Sequence, residues 1–309
     1  MQQNNPLKVI IRKNDLKYLK KVDTKNNYLE SDVYESSTIN RTRNMTVEFD
    51  SEVTENLYNE YVNKNKVELR IKLTEDENYD FFDLSSLKIT DDLLNKLFKM
   101  PEIKNILKKT KFLDISNNKL TNIPDLSKYL NIKVLDVSFN NIEGDFINNN
   151  LEEFVCKNNK ITSIISNSLL RIDASNNKLN KIDVKNIQYL GVSNNNLTEI
   201  ESYKDLDYLD CSCNKIEEIQ NLFKLTELYC SQNLITIISG IDSLIILNCV
   251  DNPLNKINYF PNLTTIVSST AKISSNYKII SAKKVDDDYF ITVESSSHDN
   301  NINNKDILN

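Results

Sequence analysis

An asparagine recurs through the middle of this 309-residue chain about every 19 residues, inside a fixed pattern of apolar positions. The pattern is L-x-x-L-x-(L/C)-x-x-N-x-(I/L)-x-x-I, and successive copies follow one another without a gap. The copies begin at Thr110, Ile132, Leu151, Leu169, Ile187, Leu206, Leu225 and Leu244, and a degenerate copy begins at Leu263. A chain with this periodicity stacks one structural unit upon the next, so each unit depends on its neighbours for burial.

The start of each copy has the alternation of a short strand with one buried face. In the copy at Leu206, the fourth and sixth residues, Leu209 and Cys211, are apolar and are predicted to point inward. Tyr208, Asp210 and Ser212 are then predicted to point outward. The few residues that remain in each copy are too short for a helix with its connections, so we predict an extended or turn-like return path.

The ninth position of the pattern is asparagine in eight successive copies. A side-chain amide there can both donate to and accept from a turning backbone, and so replaces the hydrogen bonds that the bend removes. We predict a structural ladder formed by Asn118, Asn140, Asn159, Asn177, Asn195, Asn214, Asn233 and Asn252.

With these residues in register, the chain resembles leucine-rich-repeat proteins with short repeats, over roughly residues 79–276. The resemblance implies an α/β solenoid, a curved right-handed superhelix with a parallel sheet on its concave side and a mostly non-helical convex side. It also implies a scaffold that binds another protein on the concave sheet. The composition also suggests an AT-rich genome. Together with the short repeats, it makes the chain similar to leucine-rich-repeat proteins of large AT-rich DNA viruses such as insect poxviruses. This similarity implies that the chain engages a host protein in the host cytoplasm.

The ends of the array depart from the pattern. Residues 1–78 do not fit it and are predicted to form an unassigned α+β region or cap, with strands at 9–11, 47–49 and 67–73 and a helix at 52–61. In the longer first repeat, Thr90 is predicted to begin one helix and Pro101 a second. Residues 277–294 alternate like cap strands that cover the degenerate last repeat, and 295–309 read as a disordered tail.

Composition excludes several kinds of chemistry. The net charge of −6 argues against nucleic-acid or membrane binding, and a single His, no Trp and 3 Gly leave little material for histidine catalysis or phosphate-binding loops. We therefore expect no enzymatic activity, no cofactor and no metal. Four cysteines hold the inward sixth position and are expected to be core residues: Cys156, Cys211, Cys230 and Cys249. Cys213 holds the eighth position and is expected to be the most accessible thiol.

A candidate binding surface appears where the outward positions are not filled by Asp or Ser. Tyrosines occupy the third position of two neighbouring repeats and the fifth position of the next, and large aromatic side chains are effective contact groups. The predicted protein-binding residues are Arg171, Tyr189, Tyr208, Asp210, Glu227, Tyr229 and Ile246. The alternative interpretation is that the tyrosine rings only support one another.

Two other functions remain open at this point. The chain could be the substrate-recognition part of an enzyme complex, as a ubiquitin-ligase-like adaptor or a phosphatase regulator, or it could be a surface adhesin. The first residues lack the pattern of a secretory signal, so we expect a cytoplasmic protein, and we expect a monomer whose partner is another protein.

Overall fold

The computed structural model describes residues 8–13, 42–48, 66–73, 79–270 and 272–295. The chain divides into two compact units. The first contains the described residues up to Lys119 together with Pro124–Asp136, and the second contains Leu120–Ile123 and the described residues from Val137 onward. The predicted helix at 52–61 and almost all of the predicted tail lie outside the described residues.

The first unit contains antiparallel strands followed by parallel strands. Its strands are β1 (Lys8–Lys13), β2 (Thr42–Glu48), β3 (Lys66–Leu73), β4 (Tyr79–Asp83), β5 (Phe112–Asp114) and β6 (Val134–Asp136). Strands β1 to β4 pair antiparallel in chain order, and β4, β5 and β6 pair parallel. The strands predicted at 9–11 and 67–73 are confirmed, whereas the one predicted at 47–49 extends over 42–48 instead.

Two short helices, α1 (Asp91–Lys99) and α2 (Pro101–Leu107), lie between β4 and β5. Helix α1 begins after Thr90, whose side chain accepts a hydrogen bond from the Leu93 amide, and it buries its apolar face. Helix α2 begins at Pro101, where the missing amide proton costs no helical hydrogen bond. In the part of the chain that the structure describes, no helix has the length and apolar character needed to cross a membrane.

The second unit is a parallel-sheet solenoid in which one strand of each repeat joins a long sheet. The long sheet contains β8 (Glu153–Val155), β10 (Arg171–Asp173), β12 (Tyr189–Gly191), β13 (Tyr208–Asp210), β15 (Glu227–Tyr229), β17 (Ile246–Asn248) and β18 (Thr265–Ser268). All seven are parallel and pair in that order. Their middle residues, such as Leu190, Leu209 and Leu228, are fully buried, as the repeat pattern predicts.

The return segments on the other side of the second unit form smaller parallel sheets. One contains β7 (Glu143–Ile147), β9 (Lys160–Ser166) and β11 (Lys181–Val184), and the other contains β14 (Glu218–Gln220) and β16 (Ile237–Ser239). None of the described residues of this unit is helical. The prediction of an extended or turn-like return path is therefore confirmed.

Each ladder asparagine ties its own turn to the preceding repeat. Asn195 donates through Nδ2 to the Val192 carbonyl at 3.0 Å and to the Ala174 carbonyl of the preceding repeat at 3.0 Å, and its Oδ1 accepts from the Leu179 amide at 2.9 Å. Asn214 and Asn233 repeat this arrangement. In the first unit, Asn118 binds its own turn and the preceding one in the same way. These amides satisfy backbone groups that would otherwise be buried without partners.

The residue before each ladder asparagine has a left-handed backbone conformation. These residues have φ between 52° and 58°, and they are Asn117, Phe139, Asn158, Asn176, Asn194, Cys213, Gln232 and Asp251. Asparagine tolerates this conformation better than other residues with a side chain, which explains its frequency at the eighth position. Sequence reasoning attributed no backbone role to that position.

A C-terminal hairpin covers the last parallel strand. It consists of β19 (Tyr277–Val285) and β20 (Asp288–Ser295), and β20 pairs antiparallel with β18. The Tyr277 side chain is buried beneath it, and its hydroxyl oxygen accepts from the Phe260 amide at 2.6 Å. The hairpin thus satisfies backbone groups of the last repeat as well as covering its apolar residues.

Candidate functional site

The outward face of the long sheet in the second unit carries two parallel rows of side chains. The third positions of successive repeats are in register across the strands, in the order Glu153, Arg171, Tyr189, Tyr208, Glu227 and Ile246. The fifth positions form the second row, in the order Val155, Asp173, Gly191, Asp210, Tyr229 and Asn248. Because adjacent strands lie about 4.8 Å apart, neighbours within a row are in direct reach of each other. All seven residues predicted as binding residues therefore share one surface.

Three tyrosines form a continuous aromatic cluster on this face. The rings of Tyr189 and Tyr208 are stacked, with centroids 4.4 Å apart and planes inclined by 8°. The rings of Tyr208 and Tyr229 are 5.6 Å apart and inclined by 39°. The parallel register produces the stack, because it sets Tyr189 directly beside Tyr208 on adjacent strands.

The central tyrosine is covered by its neighbours. Tyr208 is only 9% exposed, whereas Tyr189 and Tyr229 remain half-buried. Tyr208 lies on the outward face as predicted, but the flanking rings remove most of its surface from solvent. Both interpretations of the cluster apply in part: Tyr208 supports the other rings, and the outer tyrosines offer accessible surface.

Arg171 extends the cluster at one end. Its guanidinium carbon lies 4.4 Å from the centre of the Tyr189 ring, and its Nε lies 3.7 Å from Oε2 of Glu153. Burial raises the pKa of the Glu153 carboxyl, and the adjacent Arg171 offsets part of that rise. Beside this group, the Lys157 ammonium lies 2.7 Å from Oδ2 of Asp173. The acidic side chains at this end of the face are thus paired with basic ones.

Asp210 and Glu227, at the other end of the cluster, accept hydrogen bonds from neutral donors. Oδ1 of Asp210 accepts from the Ser212 amide at 3.1 Å, and Oε2 of Glu227 accepts from the Tyr229 hydroxyl at 3.2 Å. Within the described ranges, no ion pair involves either carboxylate. Ile246, next to Glu227 in the row, is half-buried and adds an apolar edge.

The first unit has a row of three aspartates that sequence reasoning did not identify as a group. Asp83, Asp114 and Asp136 are in register on adjacent parallel strands. Burial, reinforced by the charge of Asp136, raises the pKa of the Asp114 carboxyl to about 7. All three hold the same repeat position, which is the signal in the sequence that groups them.

The cysteines follow the repeat pattern. Cys156, Cys211, Cys230 and Cys249 are buried and free, and burial raises the pKa of the Cys249 thiol to about 12. Cys213 is partly exposed and donates through Sγ to Oε1 of Gln232 at 2.8 Å. Over the described residues, no three or more His, Cys, Asp or Glu side chains are grouped so that they could hold a metal ion.

Comparisons with known proteins place this architecture. No protein-family model and no curated protein sequence matches the chain. The solved leucine-rich-repeat domain of LRIM1 is similar with a TM-score of 0.50 and 19% identity, over 64% of this chain and 72% of that one. The LRIM1/APL1C complex matches with a TM-score of 0.49 and 20% identity, over 64% of this chain and 47% of that one. YopM from Yersinia enterocolitica WA-314 matches with a TM-score of 0.43 and 24% identity, over 54% of this chain and 44% of that one.

The likeness to the LRIM1 domain shows the fold. The chain has the leucine-rich-repeat fold, and the resemblance that the asparagine-containing repeat predicts is confirmed at that level.

Proposed function

We propose that this chain is a protein-interaction scaffold that binds another protein on the outward face of the long parallel sheet. The observation that supports this function most directly is the cluster of three large aromatic rings, Tyr189, Tyr208 and Tyr229, that lie side by side on the outward face. Aromatic side chains held in place before binding lose little conformational entropy when a partner covers them. Such residues commonly dominate the energy of protein interfaces.

The scaffold supplies the rigidity that such a surface needs. The outward side chains stand on three-residue strands whose middle residues are fully buried, and ladder asparagines fix the turn that follows each strand. Tyr208 is held between its neighbours, so the ring cluster does not have to be ordered by the partner. The face therefore has the preorganisation expected of a binding surface.

A site-specific photo-crosslinker tests this function. Ile246 is half-buried on the proposed face, and Phe223, which is 59% exposed in the loop before β15, is the matched control position. We expect a photo-reactive phenylalanine analogue at 246, but not at 223, to capture a discrete protein when the full-length chain is irradiated in its native cell. Absence of any captured species at 246, or capture of the same species from both positions, would contradict the proposal.

We also propose that the chain acts in the cytoplasm, and in a host cell if it is viral. The sequence Asn196-Leu-Thr is a glycosylation acceptor, and Asn196 is exposed, so passage through the secretory pathway would leave a sugar there. We expect a tagged chain to remain in the cytosol with a mass that glycosidase does not change. A glycosylated, membrane-enclosed product would support the surface-adhesin alternative instead.

A further inference from the structure

Two tyrosines and two carboxylates form a square on adjacent strands of the proposed binding face. Strand β13 contributes Tyr208 and Asp210, and strand β15 contributes Glu227 and Tyr229. The register pairs Tyr208 with Glu227 and Asp210 with Tyr229, so the tyrosines occupy one diagonal and the acids the other. We refer to these four residues as the tyrosine–acid square.

The square carries an unbalanced negative charge. On the same face, Glu153 is matched by Arg171, and Asp173 by Lys157, but neither acid of the square has a basic side chain beside it in the described part of the chain. Their present partners are the Ser212 amide and the Tyr229 hydroxyl, which are neutral donors. Two carboxylates next to aromatic rings therefore form a surface that is complementary to a cation.

The chain itself shows how such a surface holds an arginine. Arg171 lies over the Tyr189 ring, 4.4 Å from its centre, while its Nε faces the Glu153 carboxylate at 3.7 Å. The square offers the same two kinds of partner, an aromatic ring and a carboxylate, two repeats further along the sheet. Among the described residues, none supplies the basic member of the group to the square.

We infer that the tyrosine–acid square binds an arginine side chain of the partner protein. This inference rests on the proposed function and specifies the chemistry of its partner. Arginine fits better than lysine because its planar guanidinium can lie against the Tyr229 ring while its separate N–H groups point to two carboxylates. A compact ammonium has no planar face to stack on the ring and cannot point fixed donors at both acids.

A random dodecapeptide library, selected against the full-length chain, tests the inference. The neutral variant is Asp210→Asn/Glu227→Gln, in which each new amide keeps an oxygen for the Ser212 and Tyr229 donors. The control variant, Glu217→Gln/Glu218→Gln, removes the same charge from exposed residues at and beside the return strand β14 of one repeat. We expect the wild-type and control proteins to select peptides that share an arginine.

Replacement of that arginine by citrulline should lower the affinity of wild-type and control proteins by roughly tenfold or more, because citrulline keeps the shape but loses the charge. The neutral variant should bind both peptides equally. Some selected peptides could crosslink to the photo-reactive analogue at position 246 and yet bind equally well with arginine or citrulline. That result would overturn the inference and leave the proposed function standing. A neutral variant that still prefers arginine would also overturn it, and a library that yields no wild-type binder counts against both proposals.

Discussion

Tyr189 and Tyr208 stack face to face on adjacent parallel strands, 4.4 Å between ring centroids, and Tyr208 is left 9% exposed. A residue on the outward side of a sheet is therefore part of the packed structure. Its ring contacts the rings of Tyr189 on one side and Tyr229 on the other. Contact surface and structural support cannot be separated at this position.

We expect Tyr208→Ala to destabilise the protein by roughly 2–3 kcal/mol, because it removes a buried ring and two aromatic contacts. Urea unfolding followed by circular dichroism measures the change. Phe223→Ala, which truncates a ring that is 59% exposed, should change the free energy of unfolding by less than about 0.5 kcal/mol. Equal effects of the two substitutions would show that the stack contributes no stability.

The ladder asparagines allow a closely matched comparison. Asn195→Ala leaves the buried amide proton of Leu179 without its acceptor. It also removes one of the two side-chain donors to each of the Ala174 and Val192 carbonyls, which keep Asn177 and Asn214, so we expect a loss of roughly 2 kcal/mol. Asn196→Ala, at the next residue, changes an exposed side chain and should be nearly neutral. The free energies of unfolding of the two variants are compared directly. A similar loss in both would mean that the ladder is not what fixes the turn.

The left-handed position before the ladder predicts a stabilising substitution. Phe139 has φ of 55° and is 55% exposed, so its ring gains little from burial while its backbone conformation is unfavourable. We expect Phe139→Asn to stabilise the protein by about 1 kcal/mol, since asparagine tolerates this conformation. Phe139→Ala removes the same ring without that benefit and serves as the control. An equal gain in thermal stability for Ala would attribute the effect to the ring instead.

The aspartate row predicts an unusual dependence of stability on pH. The folded-state pKa of Asp114, about 7, lies above its unfolded value, so the folded protein binds more protons between pH 4 and 7. The stability that Asp114 contributes is fully present below about pH 4 and is lost as the pH rises through 7. We expect Asp114→Asn, which keeps an oxygen for the Ser116 amide, to be more stable than wild type at pH 8 by roughly 2 kcal/mol.

At pH 4 the two proteins should differ little, because Asp114 is then protonated in the folded state and pH 4 lies close to its unfolded-state pKa, so that little further stability is lost or gained. Asp125→Asn is the control: Asp125 lies outside the row and the Ser127 hydrogen bonds lower the pKa of its carboxyl, so it cannot produce this trend. Unfolding midpoints at pH 4, 6 and 8 provide the measurement. A constant difference across that range would exclude an ionisation of Asp114.

Thiol labelling tests the placement of the cysteines. Cys213 is the partly exposed thiol, so a maleimide should modify it first under native conditions. Burial and the charge of Asp210 raise the pKa of Cys213. Its labelling at pH 7 should therefore be slower than that of a cysteine in a short peptide, and it should accelerate at higher pH. Mass spectrometry after a short exposure identifies the modified residue. Early modification of Cys211 or Cys230 in the folded protein would contradict the observed core.

The repeat pattern predicts the fold because each template position has one physical role. Burial of Leu209, the turn fixed by Asn214 and the strand-like return path all follow from local alternation, a side-chain amide and segment length. The burial of Tyr208 does not follow from these rules, because it depends on which long side chains occupy the same position in neighbouring repeats. The raised pKa of Asp114 depends in the same way on the residues across the strands.

The C-terminal hairpin restricts how a protein of this kind can change its length. Strand β18 already has β17 on one edge and β20 on the other, and Tyr277 fills the space beneath the hairpin. A repeat added after the last one, which begins at Leu263, would have to displace this hairpin. A repeat duplicated within the array would instead pack against a similar repeat on each side. Repeats are therefore expected to be gained or lost inside the array, and a copy inserted between β10 and β12 would separate Arg171 from Tyr189.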